Sequence, residues 1–137
     1  MIYERKIAVF ISLLCLALLL TACGKKQLPA GFEKNEVINT AKTAVGLLNE
    51  RDYDGVAAQF SSEMKELDAK KLEEVLDPLL TELGDFDKFT SESVSGANSS
   101  EIGDYAVAVL GCQYQNGTAT YTISVDKAGR ICGLYMK

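Results

Sequence analysis

The stretch YAVAVLGCQYQNGTATYTISVD, residues 105–126, decides how this chain folds. From Thr118 onward the residues alternate, with Ala119, Tyr121, Ile123 and Val125 on one side and Thr118, Thr120, Thr122 and Ser124 on the other. A period of two marks a strand with one buried and one wet face. Asn116-Gly117 is the strongest short hairpin signal in the chain, because a type I′ turn needs positive φ at both central positions. Tyr105–Gln115 therefore pairs back onto Thr118–Asp126. A two-residue loop at Asn116-Gly117 sets Tyr114 opposite Ala119 and Cys112 opposite Tyr121. Tyr114, Tyr121 and Ile123 then share the inward face and are the candidate residues for lining a ligand cavity.

Working outward, Lys127–Arg130 turns the chain and Ile131–Met136 makes a final strand. Upstream, Phe86–Val94 reads as the first strand and Ser95–Asp104 as a polar loop. Before Gly84 the period becomes helical. Val37, Ile38, Ala41, Val45 and Leu48 form one stripe, and Leu72, Val75, Leu76, Leu79, Leu80 and Leu83 form another. Asp54 is read as the cap of a short helix over Val56–Phe60. Asp68 and Gly84 suit the two ends of the leucine-rich helix. Pro78 either kinks that helix or opens a second one capped by Asp77. The stripe keeps its phase across Pro78, which favours the kink. Helices followed by an antiparallel meander of four strands make an α+β fold.

The N-terminus carries a separate message. Arg5 and Lys6 precede an uncharged apolar run, Ile7–Leu20. At 1.5 Å per residue it reaches about 21 Å, short of the roughly 30 Å hydrocarbon core of a bilayer. Length and flanks are those of a secretory signal. Leu20-Thr21-Ala22-Cys23 follows and resembles the lipobox of bacterial prolipoproteins. That resemblance implies diacylglycerol on the Cys23 sulfur, cleavage before Cys23, and a membrane partner reached through the lipid on the extracytoplasmic face. Two acyl chains make a stable anchor where a single one does not. The expected organisation is a signal peptide over 1–22, a lipidated tether over 23–31 and one domain over 32–137.

The phrase Leu48-Asn49-Glu50-Arg51-Asp52-Tyr53-Asp54-Gly55-Val56 with Phe60, the Leu83-Gly84 helix end, the Asp126…Gly129-Arg130-Ile131 turn and Gly133-Leu134-Tyr135 resemble small nuclear-transport-factor-2-like (cystatin-like) modules. In particular they resemble a domain family of unknown function found on Gram-positive lipoproteins. The resemblance implies N-terminal helices packed on a curved four-stranded sheet, often around a small cavity, and it brings no catalytic residues. Packing that fills the space around Tyr114 and Tyr121 counts against a ligand there.

Composition narrows the chemistry further. The chain has no histidine, which removes the commonest general base and metal ligand. The inward strand face offers tyrosine but no carboxylate, so the expectation is a protein without catalytic residues, metal site or cofactor beyond the diacylglycerol on Cys23. Glu50, Asp52, Asp54 and Gly55 imitate part of a calcium loop, yet Ser61 stands where its bidentate glutamate belongs. A net charge of −5 with no basic stripe argues against nucleic acid. Cys112 and Cys132 fall on strands separated by a third, about 9.5 Å apart at two strand spacings. That exceeds the reach of a disulfide, near 7 Å between Cα atoms. The partners expected are the membrane and a small apolar ligand. The alternative is a homodimer or other envelope contact through the Thr118/Thr120/Thr122/Ser124 face.

Overall fold

The computed structural model describes residues 27–137. Three helices come first: α1 over Lys34–Asn49, α2 over Tyr53–Ala57 and α3 over Ala69–Leu83, with a single 3-10 turn at Ser62–Met64. Four strands follow, β1 over Phe86–Ser99, β2 over Gly103–Tyr114, β3 over Gly117–Val125 and β4 over Ile131–Met136. They form one antiparallel sheet in the order β1-β2-β3-β4. The expected α+β class and strand order are those found.

α1 buries Val37, Ile38, Ala41, Ala44, Val45 and Leu48, the expected stripe widened by Ala44. It lies on the inner sheet face, where Ala106 and Ala108 of β2 are fully buried and short enough for a helix to approach. The helix stops at Arg51, whose φ of 61° is unusual for a residue with a side chain. Asp52 then donates its N–H to the Leu47 carbonyl at 2.8 Å. Asp52, not Asp54, caps α2, its carboxylate accepting the Gly55 N–H at 2.9 Å. Asp54 already lies inside the first turn, so the short helix begins three residues earlier than expected. Gly55 has to lack a side chain, because a Cβ there would collide with the Asp52 carboxylate.

α3 runs unbroken through Pro78, with Asp68 accepting the Lys71 N–H at 2.9 Å and Gly84 closing it at φ 79°. Replacing Asp68 by Ala should lower the unfolding free energy by about 1 kcal/mol, as for other helix caps. A denaturant titration checks this, and a change under about 0.3 kcal/mol would mean the bond contributes nothing. Only Leu72, Leu76 and Leu80 of the leucine stripe are buried; Val75 is 60% and Leu79 43% exposed. The apolar stripe is wider than the surface α3 covers, and that excess forms the groove described below.

Two sheet expectations need correction. Ser95–Ser99 continues β1, each residue paired with β2 from Ser95↔Val107 to Ser99↔Gly103. Small polar side chains suggested a loop, but an edge strand draws its pairing from the backbone and tolerates them. Gly96 lies beneath Gln27 and Pro29, where a Cβ would meet the Gln27 carbonyl. With Leu28 packed on the core, the last part of the expected tether thus belongs to the domain. The hairpin register is also displaced: Tyr114 faces Gly117, Cys112 faces Ala119 and Leu110 faces Tyr121. Gln115 and Asn116 form the tip, because their N–H groups donate outward to Asp85 and Leu83 at 2.8 and 2.9 Å. A two-residue slip preserves parity, so Tyr114, Tyr121 and Ile123 keep the inward face.

Candidate functional site: an apolar groove between α3 and β4

Tyr114, Tyr121 and Ile123 are all buried in the core, at 3%, 0% and 0% exposure. Tyr114 donates its hydroxyl to Asn49 Oδ1 at 2.6 Å, and the Tyr121 hydroxyl lies 2.7 Å from that of Tyr114. A hydroxyl carries one proton, so Tyr121 donates to Tyr114, which donates to Asn49. Phe86 closes over the Tyr114 ring edge to face at 5.5 Å. Burial, above all, raises the pKa of both tyrosines, so both are neutral and their polar ends are satisfied. The space they were expected to open is filled.

An apolar hollow lies one strand further on. Leu72, Val75, Leu76 and Leu79 of α3 face Tyr121 of β3 and Leu134 and Met136 of β4 across a groove of about 230 Å³, with Leu67 and Tyr135 at its margin. A second hollow of about 390 Å³ adjoins it at Leu79 and Met136, and runs past Leu83 and Ala119 to Asn116, Thr118, Lys137 and Glu82. The large apolar residues exposed among the described residues are Val75, Leu79 and Tyr135; Val75 and Leu79 open into the first groove, while Tyr135, paired with Thr122, borders it from the outer face of β4. Exposed apolar side chains gathered around one concavity mark a contact surface, whereas the same residues scattered would be ordinary. Of the three sequence candidates, Tyr121 alone reaches this groove. The sequence signal for the rest was the width of the α3 stripe and the uncharged run Leu134-Tyr135-Met136.

Elsewhere the carboxylates have structural work. Asp77 accepts the Tyr53 hydroxyl at 3.0 Å and pairs with Arg51 at 3.3 Å. Asp126 Oδ1 accepts the Ala128 and Arg130 N–H groups of the β3–β4 turn. Among the described residues no cluster of three metal-ligating side chains occurs. Cys112 and Cys132 are free, with β3 between their strands, and burial pushes both thiols from 9.0 to about 11. Burial, with the Asp77 bond and charge, pushes Tyr53 from 10.0 to about 12. All three are raised, so their neutral forms favour the folded state fully below the unfolded values of 9–10, and this stabilisation is lost as pH rises towards 11–12. The melting temperature should therefore hold to about pH 9 and then fall, with Tyr53→Phe flattening the upper part of the decline. Calorimetry across pH 7–11 checks this; a fall beginning below pH 8 would contradict it.

Cys23, the expected lipidation site, lies outside the described residues. No helix among the described residues is long and apolar enough to cross a membrane. In sequence, residues 41–134 match the model of a family described as a protein of unknown function, DUF3887. No curated protein matches the chain. In structure, the chain is similar to a protein from Ruminococcus gnavus ATCC 29149 solved by NMR, with a TM-score of 0.70 at 19% identity. That match covers 81% of this chain and 96% of the other, a likeness of fold alone.

Proposed function

This chain belongs to the DUF3887 family of proteins of unknown function, and we propose that it is a lipid-anchored, extracytoplasmic binding module that receives an apolar or amphipathic ligand in the α3–β4 groove. The observation that carries the proposal is the exposure of Val75 and Leu79 on a concavity whose opposite wall is Leu134 and Met136 of β4. Leaving such side chains in water costs about 25 cal/mol per Å² of apolar surface, which a bound apolar group recovers. A binding role is favoured over a catalytic one by the absence of histidine and by the neutral, fully bonded tyrosines beneath the groove. The order of helices and sheet agrees with a nuclear-transport-factor-2-like architecture, which the sequence phrases also suggest.

The anchor rests on Leu20-Thr21-Ala22-Cys23. Four peptide steps separate Cys23 from Gln27, which packs on β1, so a lipid on Cys23 would hold the domain within about 14 Å of its attachment point. Diacylglycerol on Cys23 is tested by mass spectrometry of the membrane fraction. The expected result is a chain beginning at a modified Cys23, and a Cys23→Ser variant that keeps residues 1–22; an unmodified Cys23 in the wild type would overturn the anchor. The groove is tested by titrating residues 27–137 with laurate below its micellar concentration. Saturable shifts at Val75, Leu79 and Met136 are expected, and none at saturation of solubility would count against the reading.

A further inference from the structure

The two edges of the sheet differ. β1 carries Asp87, Lys88 and Glu92 and two register irregularities, devices that keep an edge from pairing with a foreign strand. β4 is covered only at its start, where Ser61 donates to the Ile131 carbonyl at 2.8 Å and Ile131 donates to Gln59 at 2.9 Å. Further along, Lys137 and Thr120 exchange both backbone bonds at 2.9 Å. Antiparallel bonding alternates, so Tyr135 also turns its backbone to β3, while Leu134 and Met136 turn theirs away. Among the described residues, these two N–H and two carbonyl groups meet no backbone partner. Leu134-Tyr135-Met136 carries no charge, and the Leu134 and Met136 side chains share the inner face with Tyr121 and Ile123 and line the groove, while Tyr135, opposite Thr122, lies on the outer face.

We propose that the groove takes an extended polypeptide segment, which pairs with β4 at Leu134 and Met136 as a fifth strand and sets alternate apolar side chains against Leu76 and Leu79. The proposal rests on the binding-module reading and names the class of ligand. Strand addition uses both features at once: backbone bonds supply affinity and pockets for alternate side chains supply specificity. An acyl chain would fill the groove but offer nothing to the four backbone groups, whose burial without partners is unfavourable. A second copy of this chain fits poorly. Its own β4 lies beside the same concavity, three residues of edge fall far short of the roughly 800 Å² per partner of a stable interface, and both copies are net acidic.

The test uses the full chain held in phospholipid nanodiscs and a displayed library of random nine-residue peptides, counter-selected on the Leu79→Glu chain. Enriched peptides should alternate apolar with other residues and slow hydrogen exchange at the Leu134 and Met136 amides at least tenfold. Methylating the peptide nitrogens that face β4 should weaken binding at least tenfold, and methylating the intervening ones should not. No enrichment over the counter-selected chain, or enriched peptides that leave both amides unchanged, overturns the proposal. The laurate titration separates the two readings: laurate in the groove without peptide pairing leaves a binding module and removes the fifth strand, while failure of both removes the groove itself.

Discussion

Tyr121→Ala is expected to destabilise the domain by about 3–5 kcal/mol, the range for emptying a buried aromatic site. Tyr121 is fully buried and sits where β3, α3 and the groove floor meet. Its removal leaves a cavity and strips one neighbour from the Tyr114 hydroxyl. Since small domains are stable by only about 5–15 kcal/mol, the variant should unfold at much lower denaturant. Tyr121→Phe separates the contributions. It keeps the ring and leaves Tyr114 donating to Asn49, so its cost should be about 0.5–1.5 kcal/mol. Equilibrium unfolding of the two variants tests the pair. A Phe variant as damaged as the Ala variant would show that the hydroxyl relay, not ring packing, holds this part of the core.

Leu79→Glu should do the reverse, abolishing groove binding with little effect on folding. Leu79 is 43% exposed and joins the two hollows, so an ionised carboxylate there can stay hydrated in the free protein. A change of stability within about 0.5 kcal/mol is typical at such a position. An apolar ligand entering the groove would have to desolvate that charge, which disfavours binding steeply. Laurate affinity should fall at least tenfold, equivalent to about 1.4 kcal/mol. Unchanged affinity with unchanged stability would place the ligand elsewhere.

These two residues also show how far the sequence could be read. Alternation alone places Tyr121 on the inward face, and the face is kept because the hairpin register differs from the expected one by two residues and not one. The slip itself was illegible: it follows from Gln115 and Asn116 bonding to the end of α3, a tertiary contact with no local signature. The period of Leu79 places it in the apolar stripe of α3. Periodicity records which side of a helix is apolar but not how much of that side the sheet covers, so exposure at Val75 and Leu79 came only with the fold. Ser95–Ser99 misled for a related reason, since strand pairing at an edge asks little of the side chains. Tyr114, Tyr121 and Ile123 share the inner face of the sheet with the groove, but Tyr114 and Ile123 lie in filled core and the hollow itself is at β4.

Amide chemical-shift mapping of residues 27–137 during the laurate titration tests the central claim most directly. The account predicts that the largest changes cluster at Leu72, Val75, Leu79, Leu134 and Met136, with Thr120, Thr122 and Ser124 of the outer face less affected than these. Changes concentrated on Thr120, Thr122 and Ser124, or spread evenly over the chain, would contradict a ligand groove between α3 and β4.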